Sequence, residues 1–425
     1  MTFQQGLSGL NATSKNLSVI GNNIANANTV GAKASKAVFA DLYATAIGGA
    51  SGNLVGNSVT VSGVTQQFTQ GNLTTTDNPL DLAVNGNGFF QLDSGGITVY
   101  SRNGQFQIDK SGNVVNNSGQ KLQGYAAAAD GSIIASTVQA LQLPTGGVAP
   151  LATSSVKLEM NLDSRSKVTL PATTPLITFA DPKTYNNATS VTVYDAKGQD
   201  VAVTYYFQKT GADTWDVYGT ANGRPLLDDV GDGTGNPLPS VVGMTFAANG
   251  ATLISPAAPV SISVPAAPLA SGGGNSLPIP GVKLDLGATT QFGSTFSITS
   301  LTQDGYAPGQ LNGINIDKTG VIRAQYSNGQ SKAAGQLVLA RFRNPQGLQP
   351  LGGNAWSSGN TSGDAIVGAA GQSNFGVLQS GALEESNVDL TNELVAMITA
   401  QRSYQANAQT IKTEDQMLQT LVNLR

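Results

Sequence analysis

Two narrow apolar stripes, one at each end of the chain, constrain the fold of this sequence most. Near the N-terminus the apolar positions are three or four residues apart, which predicts a helix with a heptad-like seam. This stripe consists of Phe3, Leu7, Leu10, Leu17 and Ile24, with the small residues Ser14 and Gly21 at intervening positions. Residues 22–28 are rich in Asn, a poor helix former, so we expect the helix to end there.

The C-terminal stripe is longer and has no Gly or Pro from Leu390 to Arg425. Asp389 stands before it as a predicted N-cap. The positions of this stripe are Leu390, Leu394, Met397, Gln401, Tyr404, Ala408, Ile411, Asp415, Leu418 and Val422. A stripe this narrow suits packing of one helix on another. Neither helix can bury its stripe alone, so we expect them to pack on each other or on neighbouring chains, and a hairpin within one chain without a polymer is the alternative.

Between the two helical ends the sequence predicts short strands joined by glycine-containing turns. The predicted turns of the first block are residues 86–88, 102–104 and 110–113, and residues 195–198 form a turn in the second block. This spacing is typical of β-hairpins. An aromatic cluster, Tyr205, Tyr206, Phe207 and Trp215, favours the core of the second block over a patch that binds a partner.

The order of these elements predicts a mainly β, α+β fold with two nested β-rich domains and paired, coiled-coil-like terminal helices. We expect an outermost region of residues 1–70 and 355–425 that contains the helices and extended connectors. Residues 71–145 and 284–354 would form a β-rich domain from two halves. Residues 146–283, after the Pro- and Gly-containing boundary at 144–150, would form an inserted outer β-domain.

Composition excludes several classes of function. Cys and His are both absent, so disulfides, thiolate nucleophiles and imidazole catalysis are excluded. A net charge of −4 without basic clusters argues against nucleic acid. The residues 228–233 resemble a calcium loop, but Val230 and Pro239 occupy positions that need oxygen ligands, so an acidic surface loop is predicted. We therefore expect no cofactor, no metal site and no catalytic residues.

The N-terminus lacks the features of a cleaved secretory signal. Residues 1–5 have neither a basic start nor an apolar core. No apolar stretch approaches the ~20 residues that a membrane-spanning helix needs. These rules alone predict a cytoplasmic protein without membrane insertion.

Both ends of the chain resemble the signatures of bacterial flagellar rod and hook proteins. At the N-terminus the similarity covers residues 8–12 and 21–26, with Asn22, Asn23 and Asn26 as signature residues. At the C-terminus it covers residues 383–390, with Ser386, Asn387, Val388 and Asp389, and continues through 401–407. Interior segments are similar too, including residues 100–106 and 326–330 of the first β-domain. The inserted block is similar to the extra domain of hook subunits.

The resemblance implies a structural subunit that polymerises into a flexible curved tube, a universal joint between the rod and the filament. It implies that the terminal helices interlock with those of adjacent subunits. Because narrow, polar-interrupted stripes bury too little area to hold isolated helices, we expect these helices to be disordered in the monomer and to become ordered on assembly. Leu7, Leu10, Leu17, Ile24, Leu390, Leu394, Met397, Tyr404, Ile411, Leu418 and Val422 would form the polymer interface. The implied partners are other copies, rod, hook-cap and hook–filament junction proteins, and the flagellar type III export apparatus, which uses an uncleaved signal. The implied location is the extracellular hook.

One residue departs from the family pattern, and two alternatives stay open. Ala32 stands where the family usually has an aromatic residue, so the contact made by that ring is in question. A distal-rod subunit shares the terminal signatures, but rod subunits are shorter and lack the inserted domain. A secreted β-rich adhesin or tip protein with helical ends is the alternative outside the family.

Overall fold

The computed structural model of the chain describes residues 2–42, 58–128, 131–169, 177–227, 239–269 and 272–423. The chain divides into two compact units. Unit 1 comprises Met1–Thr145, Gly313–Gln325 and Ser331–Arg425, and unit 2 comprises Gly146–Asn312 and Tyr326–Gln330. The chain therefore leaves unit 1, builds unit 2 and returns, and both chain ends belong to unit 1.

Two long helices lie at the ends of the described chain. Helix α1 spans Thr2–Ala25 and helix α2 spans Leu390–Asn423. The first helix ends inside the Asn-rich run, as predicted. The second begins directly after Asp389, whose Oδ1 accepts hydrogen bonds from the backbone N–H groups of Thr391 and Asn392 at 2.9 and 3.1 Å. This geometry confirms the predicted N-cap.

Within the described residues, all other regular elements are strands, apart from a 3₁₀ turn at Pro345–Gly347. In unit 1 before the insertion these are β1 (Ser35–Leu42), β2 (Ser58–Gln66), β3 (Leu73–Thr75), β4 (Leu82–Asn85), β5 (Phe89–Ser94), β6 (Ile97–Ser101), β7 (Phe106–Ile108), β8 (Val114–Asn116), β9 (Lys121–Ala127) and β10 (Ile133–Ala140). Next come β11 (Ser155–Asn161), β12 (Asn187–Tyr194), β13 (Asp200–Lys209), β14 (Thr214–Ala221), β15 (Arg224–Pro225), β16 (Val242–Phe246), β17 (Leu253–Ser255), β18 (Val260–Val264), β19 (Ile279–Asp285) and β20 (Ser297–Gln303). The last strands are β21 (Leu311–Ile316), β22 (Val321–Tyr326), β23 (Ser331–Arg341), β24 (Gln349–Gly352), β25 (Ala355–Ser357), β26 (Ile366–Ala369), β27 (Val377–Ser380) and β28 (Ala382–Glu384). The mainly β fold with helical ends is thus confirmed.

The main sheet of unit 1 mixes strands from both halves of the chain. Its central order is β21-β22-β23-β9-β5-β6-β25-β24, so β9, β5 and β6 lie between strands that come after the insertion. Two small ladders do the same: β3 pairs with β28 and β4 pairs with β27. The core beneath is apolar, and Phe90, Leu92, Leu122, Leu337 and Leu339 are all fully buried in it. Neither half can complete this unit without the other.

Unit 2 is built from two sheets that share one apolar core. One sheet has the order β12-β13-β14-β16-β17, with β15 beside β14, and the other has the order β18-β19-β11-β20. Side chains alternate along β13, so Tyr205 and Phe207 point inward with Trp215 of β14. Tyr206 faces the opposite side and contacts the rings of Phe179 and Tyr185. The predicted core role is confirmed for three of the four aromatic residues.

The pairing differs from the predicted hairpins at two of four turns. Residues 110–113 join the paired strands β7 and β8, and residues 195–198 join the paired strands β12 and β13, as expected. Residues 86–88 and 102–104 instead connect strands that do not pair with each other. β4 pairs instead with β27, and β6 pairs with β5 and β25. Strands from the C-terminal half, β27 and β25, therefore occupy the edges that the predicted hairpin partners would have taken.

The strands also locate the inserted unit. The predicted boundary at 283/284 falls inside β19, and β20 pairs with β11 of the inserted unit, so the chain leaves unit 2 only after Asn312.

Residues 228–233, the predicted acidic surface loop, lie outside the described residues. None of the described helices is long and apolar enough to cross a membrane.

Replacing Phe207 by Ala tests the core of unit 2. Phe207 is fully buried, so the loss of its ring should lower the free energy of unfolding by about 3–5 kcal/mol. The chain has two Trp residues, and a Trp356→Phe background leaves Trp215 as the fluorescent reporter of unit 2 in a urea titration. Thr192→Ala, at an exposed position of the neighbouring strand, is the control and should change stability by no more than about 0.5 kcal/mol. Equal shifts for both variants would contradict this assignment of the core.

Candidate assembly site

The two terminal helices pack antiparallel through a seam of small residues. A Cβ added at Gly6 would lie 3.0 Å from Ile411 Cγ1, and one at Gly9 would lie 3.0 Å from the amide atoms of Asn407. Nearby, the Asn407 Nδ2 group donates to Thr13 Oγ1 at 3.5 Å. The missing side chains let the helix backbones approach closely. The contact face of α1 is therefore the small-residue stripe, which lies beside the predicted apolar one.

As a result, much of the predicted apolar seam is not covered within one chain. The exposed fraction is 37–53% for Leu7, Leu390, Leu394, Tyr404 and Leu418. Five predicted positions are partly buried: Leu10, Leu17, Ile24, Met397 and Ile411. Val422 lies in the last turn of α2, and its side chain is outside the described part. Large apolar side chains exposed along both helices are unusual for a protein that stays monomeric.

Two signature asparagines tie the helical ends to the strands that follow or precede them. Asn23 accepts from the Ser35 N–H and donates to the Ser35 carbonyl, both at 2.8 Å, and also donates to Glu393 Oε1 at 3.0 Å. Asn23 thus connects the end of α1, the start of β1 and the first turn of α2. Asn has the donor and the acceptor that this bridge needs, and Asp at this position would lose both donated bonds.

Asn387, just before α2, connects the segments that adjoin β1 and β2. Its Oδ1 accepts from the Ala34 N–H at 2.8 Å, and its Nδ2 donates to the carbonyl of Gln67 at 2.8 Å and to Thr69 Oγ1 at 2.7 Å. This one side chain, which lies just before α2, therefore holds the residue before β1 and the stretch after β2. Asn387 therefore organises the connectors between the helices and the β-rich part of unit 1.

The remaining signature residues shape the helix ends. Asn26 Nδ2 donates to the Asn22 carbonyl at 2.9 Å and closes the last turn of α1. Ser386 is buried, and its Oγ accepts from the Val388 N–H at 3.3 Å. Asp389 caps α2, and its Oδ2 also accepts from Asn392 Nδ2 at 2.7 Å. These bonds fix where each helix starts and stops.

A buried trio of charged side chains lies at the centre of the same region. Glu384 Oε1 is 2.6 Å from Lys33 Nζ, and Glu384 Oε2 is 3.1 Å from Arg102 Nη1. The three side chains expose 0–4% of their surface. The Gly71 N–H donates to Glu384 Oε1 at 3.0 Å, and Lys33 Nζ also donates to the Thr69 carbonyl at 2.8 Å. We call Lys33, Arg102 and Glu384 the buried anchor.

The buried anchor joins three parts of the chain that are distant in sequence. Lys33 follows α1, Arg102 follows β6, and Glu384 ends β28. Burial holds the pKa of Lys33 below its usual range, while the Glu384 carboxylate opposes that shift. Burial likewise lowers the pKa of Arg102, again opposed by Glu384. Removing the single acid would leave two buried cations without a counter-charge, which is far more costly than losing a surface pair.

Ala32, next to the anchor, lines a cavity of 220 Å³ with Asn23, Trp356 and Val388. Ala32 is itself buried. Its neighbour Gly31 has a φ of 72°, and a Cβ there would come within 2.6 Å of the Asn103 backbone nitrogen. Gly is thus required at position 31, whereas position 32 has room for a larger side chain.

Comparison with protein-family models places the chain in one group of proteins over most of its length. Residues 3–33 match the model described as Flagella basal body rod protein. Residues 83–198 match Flagellar hook protein FlgE/F/G D1 domain, and residues 161–306 match Flagellar basal body protein FlaE D2 domain. Residues 379–424 match Flagellar basal body rod FlgEFG protein C-terminal.

Relatives match from end to end. The chain is 42% identical to Flagellar hook protein FlgE of Escherichia coli and 41% identical to that of Salmonella typhimurium, in each case over 100% of both chains. It is 34% identical to Flagellar hook protein FlgE of Rhizobium meliloti, over 100% of this chain and 98% of that one. This chain belongs to the flagellar hook protein family. A solved structure, Helicobacter pylori flagellar hook protein FlgE2, shares the fold, with a TM-score of 0.54 and 14% identity over 73% of this chain and 100% of that chain.

Membership of the hook protein family agrees with the resemblance predicted from the sequence. The resemblance found at both ends is confirmed, and each member of the buried anchor lies in a segment that a family model matches. Sequence reasoning assigned no role to the anchor or to Gly6 and Gly9. The small residues at 6, 9, 12 and 13 were a usable signal, since such residues at helical spacing allow two helices to approach closely. No local pattern connects Lys33 with Glu384.

Replacing Glu384 by Gln tests the buried anchor. Gln keeps the shape of the Glu384 side chain but removes the one negative charge of the buried anchor. The free energy of unfolding of unit 1 should therefore fall by about 3–5 kcal/mol. A Trp215→Phe background leaves Trp356 as the reporter of unit 1 in urea.

The matched control is Glu385→Gln, one residue further on, where the side chain is exposed. We expect it to change stability by no more than about 0.5 kcal/mol. If the two variants unfold at the same urea concentration, the anchor does not stabilise unit 1.

Proposed function

We propose that copies of this chain polymerise into the flexible curved tube of a bacterial flagellar hook, which transmits torque from the rod to the filament. The observation that supports this most strongly is the pair of exposed apolar stripes on α1 and α2, together with full-length similarity to proteins named as hook proteins. The tube acts as a universal joint. Its subunit has no catalytic activity in this proposal, in line with the structural role that the family name describes.

Uncovered stripes on two different helices suit open-ended assembly. A helical polymer needs two different surfaces that fit each other, because a self-complementary patch closes into a dimer. Leu7 lies on α1, whereas Leu394 and Leu418 lie on α2, so the two helices offer distinct apolar surfaces. In a stack, the apolar surface of α1 in one copy can cover the apolar surface of α2 in the next copy. The interface proposed from sequence, Leu7 to Ile24 and Leu390 to Val422, therefore stays our proposal for the polymer contact.

Neighbouring copies would also stabilise the helices themselves. The seam within one chain relies on Gly6, Gly9 and other small residues, which themselves contribute little apolar side chain to it. Helices in proteins gain stability mainly from packing. Both helices are formed in the structure of a single chain, so the expectation of order only on assembly becomes the narrower proposal that assembly stabilises them.

The proposed division into helical ends, a β-rich domain and an inserted domain assigns a mechanical role to each part. Helices near the tube axis provide firm cohesion along the tube, and the β-rich regions further out slide past one another as the tube bends. The outer contacts are proposed to be polar and weak. In this scheme unit 2, inserted at Gly146–Asn312, tunes curvature and stiffness.

The proposed setting follows from family membership. The chain would pass through the flagellar type III export apparatus with an uncleaved N-terminal signal and assemble outside the cell. Its partners would be other copies, the rod, the hook cap and the hook–filament junction proteins. The matched length favours the hook over a distal-rod subunit, since relatives named as hook proteins cover the whole chain, unit 2 included. An adhesin has no comparable support.

Replacing both Leu7 and Leu394 by Ser tests the interface. Each buried Leu contributes about 1.5–3 kcal/mol, so the critical concentration for tube formation should rise by about tenfold or more. Sedimentation and negative-stain microscopy of purified protein measure it. The control Ile254→Ser removes an apolar residue of unit 2 that is at least as exposed as Leu7 and Leu394, and it should leave the critical concentration nearly unchanged. Wild-type protein that stays monomeric at high concentration would contradict the proposed function.

Removing unit 2 tests the division of roles. The deletion should span Gly146–Asn312 rather than 146–283, because β20 would otherwise lose its partner β11. We expect tubes to form with altered curvature or stiffness, as seen by electron microscopy. Complete loss of assembly, with unit 1 still folded by Trp356 fluorescence, would argue against an outer role for unit 2.

A further inference from the structure

A pocket lined by three arginines lies beside the buried anchor. It has a volume of 260 Å³ and is lined by Phe68, Asn87, Gly88, Phe89, Arg102, Arg341, Phe342, Arg343 and Pro345. All these residues belong to unit 1. Its lining contains three guanidinium groups and no Asp or Glu.

The positive charge of this pocket is only partly neutralised within the described residues of the chain, by the ion pair of Arg102 with Glu384. Arg102 uses Nη1 for Glu384 and Nη2 for the Gly86 carbonyl, but its Nε has no hydrogen-bond partner, although the side chain is only 4% exposed. Arg341 Nε is also buried without a partner. Neither Arg341 nor Arg343 has a carboxylate within 4 Å among those residues. Buried donors without acceptors are costly, so the site favours an anion.

The shape and chemistry of the pocket suit a carboxylate. Guanidinium groups present planar donor pairs that match the two oxygens of a carboxylate. The walls are aromatic, from Phe68, Phe89 and Phe342, and Arg102 stacks 5.1 Å above the Phe89 ring. Such walls pack well against the methylene groups of a Glu or Asp side chain. The volume accommodates a group of about that size.

We propose that this pocket binds an acidic side chain of a neighbouring copy of this chain in the polymer. The proposal rests on the proposed function, since the tube brings a second copy to this surface. Charge complementarity supports this source: the chain carries 26 acidic and 22 basic residues. In the described part of unit 1, the carboxylates of Asp77, Asp364 and Glu385 are exposed and take part in no ion pair. An exposed carboxylate of one copy can therefore supply the charge that the pocket of the next copy requires.

Zero-length crosslinking tests this proposal directly. In an Arg343→Lys variant, a carbodiimide can couple the new amine only to a carboxylate in direct contact. Tubes grown from a mixture of isotope-labelled and unlabelled subunits should yield, by mass spectrometry, a crosslink from position 343 to an Asp or Glu of another copy. Arg323→Lys, at an exposed position of β22 outside the pocket, is the matched control and should give at least about tenfold less crosslink between copies.

The outcomes separate this proposal from the proposed function. Tubes without a crosslink between copies at position 343 would overturn the pocket assignment alone, and a failure of the wild-type chain to form tubes would overturn both.

Titration with acetate tests whether a free anion is the ligand of the pocket. Monomers should bind acetate and tubes should not, because the pocket is then occupied. Equal acetate binding by tubes would contradict a neighbouring side chain as the ligand.

A second pair of variants measures the contribution of the pocket to assembly. Arg341→Gln with Arg343→Gln should raise the critical concentration about tenfold, because the incoming carboxylate loses its charged partners. Arg323→Gln should not change it. Folded double-variant monomers that assemble as readily as the control would overturn the proposal.

Discussion

The buried carboxylate of Glu384 is the interaction on which unit 1 depends. It neutralises one of two cations that approach from parts of the chain 351 and 282 residues away in sequence. A charge buried without a partner is expensive, so the chain pays a penalty unless all three segments arrive together. This requirement gives the junction between the helical ends and the β-rich part a single arrangement. Apolar packing alone would tolerate small shifts at the same place.

The asparagine bridges extend the same constraint outward. Asn23 binds both backbone groups of Ser35 at the start of β1, and Asn387 binds backbone groups of Ala34 and Gln67 in the irregular segments next to β1 and β2. Backbone groups in such connectors need partners, and a side-chain amide supplies both a donor and an acceptor. The connectors are thus defined by specific polar contacts and have little apolar core of their own.

Some local signals in the sequence gave correct predictions, whereas two of the four predicted hairpins and the pairing of distant strands were not predicted correctly. Asp389 as an N-cap, the end of α1 near residue 25 and the turn at 110–113 all depend on neighbours within a few residues. The pairings of β3 with β28 and β4 with β27 join residues some 300 positions apart and leave no local mark. The apolar stripe of α1 was identified correctly as a pattern, but the contact within the chain uses Gly6 and Gly9 beside it. Charged residues such as Lys33 are usually exposed, and only the fold shows that its counter-charge is in the last strand.

The antiparallel pairing of the first and last helices makes the competence of the subunit depend on its final residues. Asn23 and Glu393 meet across 370 positions, so α1 remains without its intramolecular partner until nearly the whole polypeptide has emerged. Unit 2, whose sheets are formed largely within residues 146–312, can fold earlier. A prematurely terminated chain would have a folded unit 2 and an unpaired N-terminal helix, and it would lack the α2 surface that we propose as part of the polymer contact. If α2 forms that contact, only finished polypeptides can be incorporated.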